Sequence, residues 1–292
     1  MKFKGHESFY IRRGWLYKGL KNVRENEAVF LAKDAMEQLG LGSNMVKSLR
    51  YWMQATGLTT ECSEHGRRVQ YLTPLGQLIW KYDPYMEEMG TLWIIHAKLA
   101  LQRELATSWY IFFNEFAMQT FQKEDFVRYV QQYTDAAESS LASDFDCLIS
   151  TYMSRSLLKG KTDPESNTDC PLGELELLAP ATRQAKLYCR KEINPKTIPM
   201  LVFLAVLYET VGERRELKIK ELFSGTGASV GRIFQLELVG LMQILYQLEK
   251  AGYLKVIRTA GLDVIRLRAE GTALTLVEEY YRDLVGEGCI AR

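Results

Sequence analysis

Apolar and polar positions along the first eighty residues predict two helices followed by a hairpin. Apolar residues recur every three to four positions over residues 26–39, which is typical of a helix. A glycine turn ends this helix, and Ser43 can cap a second helix over residues 44–55. Alternation over residues 58–72 predicts two strands joined by a tight turn, and a Thr-Pro pair then begins another helix. This order is that of a winged helix-turn-helix.

The middle of the chain is predicted to be mainly helical. Helical spacing indicates four helices, near residues 90–106, 107–120, 123–138 and 141–155. Residues 159–170 are polar and rich in turn-forming residues, so they are predicted to form a surface loop.

The C-terminal third repeats the order of the first. The predicted elements are helices near 198–211, 218–223 and 235–251, a hairpin of residues 253–258 and 263–268, and a helix near 271–285. The predicted fold class is therefore mainly α, with an N-terminal winged helix-turn-helix, a helical middle domain and a C-terminal winged helix. These three domains are assigned to residues 1–82, 83–195 and 196–292.

The net charge of +1 says little by itself, but the charge is unevenly distributed. Residues 1–82 carry 13 Lys and Arg against seven Asp and Glu, whereas residues 83–195 carry 11 against 17. A basic head on an acidic middle is typical of a phosphate-binding domain joined to a protein-contacting one. Chance variation in a solvated surface would give the same numbers, so both interpretations stay open.

Cysteine and histidine usage argues against two common classes of site. The five cysteines are scattered, odd in number and without a CxxC pair, which argues against a disulfide framework and a zinc ribbon. The three histidines lie too far apart to suggest a histidine-rich metal site. We expect no signal peptide, because the first residues lack a long apolar run, and no stretch approaches the length of a membrane span. A cytoplasmic protein without membrane contact is expected.

The polar side of the helix over residues 44–55 carries side chains suited to duplex DNA. A recognition helix places its early residues in the major groove, where Arg can pair with guanine and Asn with adenine. Arg67 and Arg68 in the hairpin can contact flanking phosphates. The DNA contacts predicted from the helix are Asn44, Lys47, Ser48, Arg50 and Tyr51. The alternative is a helix whose polar face simply meets water.

The residues before this domain hold a second group of candidates. His6 and Glu7 could perform acid–base or metal chemistry, and Arg12, Arg13 and Lys18 could bind phosphate. The structural alternative is a leader that docks through its aromatic side chains, with His6 hydrogen bonded to the backbone. One histidine beside one glutamate is weak evidence for a metal site, so the structural or phosphate-binding interpretation is favoured.

A series of short motifs runs through the chain in a characteristic order. It begins with Gly5-His6-Glu7-Ser8-Phe9, Arg12, Trp15-Leu16 and Lys18-Gly19. It continues with Leu39-Gly40-Leu41-Gly42, Arg50-Tyr51-Trp52, Leu72-Thr73-Pro74-Leu75-Gly76, Phe113-Asn114-Glu115-Phe116 and Pro171-Leu172-Gly173-Glu174-Leu175. With these motifs the chain resembles the SspB-like family of bacterial DNA phosphorothioation gene clusters over most of its first 180 residues. Ser43 departs from the family pattern, which more often has lysine there, and one phosphate contact is thereby removed.

The resemblance implies the DNA-binding component of a phosphorothioation system, in which sulfur replaces a non-bridging phosphate oxygen. It also implies a DNA-nicking activity within a bacterial defence or restriction-modification pathway. The expected partners are DNA, a cysteine desulfurase, an ATPase, a PAPS-reductase-like ATP pyrophosphatase and, in a homodimer, a second copy of the chain. A non-catalytic DNA-binding adapter and a transcriptional regulator of the gene cluster are the alternatives.

Nicking would require groups that activate water and stabilise charge on phosphorus, with Mg²⁺ or Mn²⁺ as the expected cofactor. Asp144 and Asp146 are weak candidates for holding the metal, because residues two positions apart share a face only in some backbone conformations. On a helix they would point apart, whereas in an extended segment they would share one face. No nuclease motif or P-loop is visible in the sequence. His6 and Glu7 are the other weak candidates for catalysis. No catalytic residue is therefore assigned.

Overall fold

The N-terminal residues form helices followed by a hairpin, and the first helix begins earlier than predicted. The structure is a computed structural model, and it describes residues 1–64, 66–153, 169–182, 186–259, 262–268 and 271–290. The first three helices are α1 (Trp15–Glu25), α2 (Ala35–Leu39) and α3 (Ser43–Ala55), with a 3-10 turn at Val29–Leu31. Helix α1 lies before residue 26, in a segment for which no helix was predicted.

The prediction of one continuous helix over residues 26–39 is wrong. Ala32 adopts an extended backbone, with φ −64° and ψ 148°, and this separates the 3-10 turn from α2. The prediction that Ser43 caps α3 is also wrong, because Gly42 occupies the cap position. Gly42 has no side chain to accept a hydrogen bond, so no side chain caps the N-terminus of α3.

A two-stranded antiparallel sheet follows α3. Its strands are β1 (Thr59–Glu64) and β2 (Arg67–Leu72), and helix α4 (Pro74–Tyr82) comes next. Thr73 caps α4, since its Oγ1 accepts a hydrogen bond from the backbone N–H of Gly76 at 3.0 Å. A side chain at Gly76 would not fit, because its Cβ would lie 2.2 Å from the carbonyl oxygen of Leu58. Helix α4 therefore packs closely against the start of the hairpin.

The four middle helices lie near the predicted positions and are mostly shorter. They are α5 (Met89–Leu101), α6 (Thr107–Asn114), α7 (Lys123–Val130) and α8 (Glu138–Tyr152). Helices α5 and α6 are buried along most of their length and form the centre of this region. Asn114 donates a side-chain hydrogen bond to the carbonyl oxygen of Ala100 at 2.7 Å, which ties the end of α6 to α5.

A small sheet in this region was not predicted. Its strands are β3 (Thr120–Phe121), β4 (Leu178–Pro180) and β5 (Tyr188–Arg190), in the order β3–β5–β4. Strands of two or three residues are too short for alternation to reveal them. Of the predicted surface loop, residues 159–168 lie outside the described residues, and Cys170 at its end is buried.

The predicted C-terminal helices and hairpin lie near their predicted bounds, whereas the helix Val230–Ile233 and the strand Glu216–Lys218 were not predicted. The helices are α9 (Met200–Val211), α10 (Ile219–Ser224), α11 (Val230–Ile233), α12 (Leu238–Lys250) and α13 (Ala273–Ile290). The strands β6 (Glu216–Lys218), β7 (Leu254–Thr259) and β8 (Leu262–Leu267) form a sheet in the order β6–β8–β7. Helix α9 is buried on almost every side and packs against α13. The described residues thus form a mainly helical fold with small sheets.

One helix–hairpin arrangement occurs twice. Helices α3 and α12 are each 13 residues long, and each leads into a hairpin of two six-residue strands. A glycine with positive φ follows each helix, Gly57 at 70° and Gly252 at 86°, where a side chain would be strained. The two copies therefore share the order and the lengths of their elements, although their sequences differ.

The chain divides into two compact units, Met1–Lys191 and Glu192–Arg292. The predicted boundary between residues 195 and 196 lies close to this division. The predicted boundary between residues 82 and 83 falls inside the first unit, where residues 1–14 contact α6 and α8. No helix among the described residues is both long enough and apolar enough to cross a membrane.

Candidate nucleic-acid interface

A buried carboxylate on α8 anchors the leader, residues 1–14. Asp144 Oδ1 accepts hydrogen bonds from His6 Nε2 at 2.7 Å and from the backbone N–H of Lys4 at 2.8 Å. Asp144 Oδ2 accepts a third from Ser108 Oγ on α6, at 2.5 Å. The side chains of His6, Ser108 and Asp144 are all buried. Three donors therefore compensate a carboxylate that is removed from water.

The neighbours of His6 assign the position of its proton. Nδ1 accepts a hydrogen bond from the backbone N–H of Ser8 at 3.1 Å, so Nε2 carries the proton that is donated to Asp144. The imidazole lies parallel to the Trp52 ring, with centroids 6.0 Å apart, and edge-on to Trp109 at 5.9 Å. Residues of α3, α6 and α8 thus enclose His6, and both of its ring nitrogens are occupied.

The leader reaches this position through a tight turn. Lys4, Glu7 and Ser8 have positive φ values of 55°, 50° and 65°, which residues other than glycine rarely adopt. A Cβ at Gly5 would lie 2.5 Å from the ring of Tyr51, so a glycine is required there. The side chain of Glu7 is exposed and does not join His6 in a site. The contacts of His6 fit the structural interpretation of the leader.

Two residues of α3 that were predicted to contact DNA face the protein interior. Ser48 Oγ donates to the carbonyl oxygen of Phe9 at 3.2 Å, and Tyr51 OH donates to that of Leu105 at 3.0 Å. Burial raises the pKa of Tyr51 well above its ordinary value, and the charge of Asp144 adds to this effect. Placing Ser48 and Tyr51 on the DNA-facing side was therefore wrong, because this side of α3 packs on the leader and on the residues before α6.

The N-terminal end of α3 is open to solvent. Ser43, Asn44 and Lys47 are exposed there, and Lys47 Nζ approaches Asn44 Oδ1 at 3.4 Å. The first backbone amides of a helix carry partial positive charge, and no side chain caps them here. This end of α3 presents polar and cationic groups that suit phosphates and base edges.

Arg50 connects α3 to the hairpin. Its Nε donates to Glu61 Oε2 at 2.7 Å and its Nη2 donates to Glu61 Oε1 at 2.8 Å. Such a two-point contact fixes a guanidinium group. Arg68 approaches the same carboxylate at 3.8 Å but keeps a side chain that is 70% exposed. Arg50 therefore positions the hairpin, while Arg68 and the exposed Arg67 extend from its surface.

Two predicted phosphate-binding residues contact the protein itself. The Arg12 guanidinium lies over the rings of Phe9 and Trp15, at 5.9 and 5.5 Å from their centroids. Lys18 Nζ donates to the carbonyl oxygen of Leu39 at 2.7 Å, at the C-terminal end of α2. Both residues therefore have a structural role that the sequence did not reveal.

Two further candidates form ion pairs at the surface. Arg13 pairs with Glu174, and Asp146 accepts a hydrogen bond from Lys123 Nζ at 2.6 Å. Because Asp144 and Asp146 both lie on a helix, they point to different sides, one into the core and one to solvent. The two carboxylates do not form a shared site.

Comparisons with known proteins support the family resemblance that the order of the motifs indicated. The model of the family described as "Protein of unknown function (DUF4007)" matches residues 3–281. The chain belongs to this DUF4007 family. Two solved structures resemble this DUF4007 chain: a crystal structure of SspB and one of magnesium ion-bound SspB. Each has a TM-score of 0.84 and 26% sequence identity, and each match covers 96% of this chain and 88% of the other.

The predicted likeness to the SspB-like family is therefore confirmed. No curated protein matches the chain.

A metal site in this DUF4007 chain would need several oxygen ligands close together. Within the described ranges, no group of three or more His, Cys, Asp or Glu side chains is arranged to hold an ion. The carboxylate of Asp144 is occupied by three donors, and that of Asp146 is paired with Lys123. These residues do not fit a magnesium site, and no metal ligand is assigned.

Two side chains that hold this region of the DUF4007 chain together, Ser108 and Glu61, were not predicted from the sequence. Ser108 donates to Asp144 from another helix, and a buried serine has no signature that distinguishes it from a solvated one. Glu61 could have been proposed as a partner of Arg50, because it is one of the two acidic residues, with Glu64, on the strand that follows the helix bearing Arg50.

Replacing the anchor tests its structural role. Asp144→Ala leaves three donors without a partner, and we expect it to lower the free energy of unfolding by at least about 3 kcal/mol. Asp146→Ala, two positions along the same helix, removes only an exposed ion pair and should cost about 1 kcal/mol or less. Urea denaturation followed by circular dichroism measures both. Equal losses in the two variants would contradict the role assigned to Asp144.

Proposed function

We propose that this chain is the DNA-binding component of a bacterial DNA phosphorothioation system. The observation that carries the proposal is the exposed surface formed by the N-terminal end of α3 and the hairpin β1–β2, which we call the α3–hairpin surface. Its exposed polar and cationic residues are Ser43, Asn44, Lys47, Arg67 and Arg68. The order α1, α2, α3, β1, β2 supports a winged helix-turn-helix, in which α3 is the recognition helix.

The geometry of α3 suits the major groove of duplex DNA. The groove admits one α-helix, and the early residues of a recognition helix reach the base edges. Asn44 lies at such an early position, and an Asn amide can pair with adenine. Lys47 lies one turn further along, where an ammonium group suits a phosphate. The uncapped amides of α3 would add to phosphate binding.

The hairpin would supply contacts to the flanking backbone. Arg67 and Arg68 extend from β2 into solvent, as the wing of such a domain requires. The pair between Arg50 and Glu61 holds the wing against α3. Arg50 is therefore proposed to position the hairpin and not to read a base.

The distribution of charge supports the same conclusion. Residues 1–82 carry 13 basic against seven acidic side chains. A basic surface favours DNA binding, because its Lys and Arg side chains release the counterions that are condensed on the DNA. The acidic residues 83–195 would suit contact with a basic partner surface. The family resemblance of the sequence motifs implies a cysteine desulfurase, an ATPase and an ATP pyrophosphatase as further components of the same system, and we propose them as partners.

Metal-dependent DNA nicking is a second candidate function. The similarity to a magnesium ion-bound SspB favours it, since Mg²⁺ or Mn²⁺ would assist cleavage of a phosphodiester. The described residues offer no cluster of ligands, so this candidate is proposed without a catalytic residue. If the chain does not nick DNA, a non-catalytic adapter for the sulfur-transferring enzymes is the remaining form of the proposal.

Salt-dependent DNA binding tests the main proposal. We expect Arg67→Ala and Arg68→Ala each to weaken binding to duplex DNA and to reduce the slope of log K against log salt by about 1, because each removes one phosphate contact. Fluorescence anisotropy of a labelled duplex over a range of salt concentrations measures both quantities. Arg128→Ala, an exposed arginine on α7, is the control and should change neither. The same loss in all three variants would argue against a specific role of the hairpin.

A supercoiled-plasmid assay tests nicking. If this second candidate function is correct, the purified chain will produce open circles with Mg²⁺ or Mn²⁺, and the double variant Arg67→Ala/Arg68→Ala will produce fewer because it binds less DNA. Agarose gels with and without EDTA measure the product. DNA binding without open circles in either metal would reject nicking and leave the adapter.

A further inference from the structure

The second helix–hairpin carries a groove with an apolar floor. The groove has a volume of about 540 Å³ and lies among α10, α12 and the hairpin β7–β8. Its floor is formed by Ile219, Phe223, Leu238 and Met242. Leu238 in this floor is 48% exposed, and the next residue of α12, Val239, is 68% exposed. An apolar surface that is continuous and rimmed by polar residues is typical of an interaction site.

The same positions of the two matching helices have opposite chemistry. The first, second and fifth residues of α3 are Ser43, Asn44 and Lys47, which are polar or charged. The first, second and fifth residues of α12 are Leu238, Val239 and Met242. Both copies thus have the same order of helix and hairpin. The positions that would enter a DNA groove are polar or charged in α3 and apolar in α12.

The rim of the groove is cationic. Lys218 and Lys220 lie on one side and Arg258 lies on the hairpin, and all three are exposed. None of the three has an ion-pair partner among the residues that the structure describes. Asp263 is the one carboxylate in the lining of the groove. An occupant should therefore bring acidic side chains to the rim together with apolar side chains for the floor.

We infer that this groove is a docking site for an acidic amphipathic helix of a partner protein. Such a helix places apolar side chains at i, i+3 or i+4, and i+7 into a groove of this type. Its Asp and Glu side chains would then lie beside Lys218, Lys220 and Arg258. The first unit engages DNA under the proposed function, and the second unit holds a protein.

Duplex DNA is a poor match for the same surface. Leu238 and Val239 cannot hydrogen bond to base edges, and apolar contact in the major groove reads little beyond the thymine methyl group. These apolar residues separate the groove from the α3–hairpin surface, whose corresponding positions are polar or charged.

Labelled helical peptides and the full-length chain provide the test. One 18-residue peptide carries leucine at the spacing of a single helical face and glutamate elsewhere, and a second carries lysine in place of glutamate. We expect the glutamate peptide to bind at least about tenfold more tightly than the lysine peptide, measured by fluorescence anisotropy at low salt. Leu238→Glu should weaken its binding by at least about tenfold, because it puts a charge into the apolar floor of the groove.

Two control variants keep the result interpretable. Val285→Glu changes an apolar residue that is 57% exposed on α13 and outside the groove, and it should leave peptide binding unchanged. Lys218→Glu/Lys220→Glu should abolish the preference for the glutamate peptide without altering the floor. Because all of these positions are exposed, thermal unfolding should be unchanged in every variant.

Three outcomes would overturn the inference. The first is equal binding of the two peptides, or binding that Leu238→Glu does not weaken. The second is loss of duplex DNA binding in Leu238→Glu, which would make the groove a nucleic-acid site. The third is self-association of the wild-type chain in sedimentation velocity that Leu238→Glu abolishes, which would make the occupant a second copy. Failure of DNA binding in the wild-type chain would affect the proposed function and not this inference.

Discussion

The first unit depends on the buried contact between His6 and Asp144. The leader has no regular secondary structure of its own before α1, and its turn contains three non-glycine residues with positive φ. Such a turn persists only where surrounding contacts outweigh its strain. Asp144 supplies them, because it holds His6 and the backbone of Lys4 while also binding Ser108 of α6.

This anchor also determines which side of α3 is exposed. Trp52 donates from its indole Nε1 to the carbonyl oxygen of Phe9 at 2.8 Å, and Ser48 binds the same oxygen. The leader thus covers one side of α3 and leaves the side of Asn44 and Lys47 to solvent. The exposure of the surface proposed to bind DNA therefore depends on the buried contact between His6 and Asp144. These two residues lie far in sequence from Asn44 and Lys47, which would touch DNA.

The sequence predicted regular elements better than it predicted the partners of individual side chains. The C-terminal helices and hairpin have long, strongly periodic apolar patterns, and their bounds were nearly correct. The β3–β5–β4 sheet was missed because its strands have only two or three residues, and β3 pairs with a strand about 70 positions away, as in Thr120 with Cys189. Asp144 and His6 were both singled out, but as weak candidates for chemistry, since spacing in sequence cannot reveal a contact across 138 positions. Likewise, the apolar pattern of α12 indicated a helix but not that Leu238 and Val239 remain exposed.

The central claim is that duplex DNA binds at the α3–hairpin surface. Amide hydrogen exchange of the full-length chain, measured by mass spectrometry with and without a duplex, tests it most directly. The account predicts slower exchange on DNA addition in peptides covering residues 43–50 and 66–72, with no change in residues 238–258. Unchanged exchange in both N-terminal segments, together with protection of residues 238–258, would contradict it.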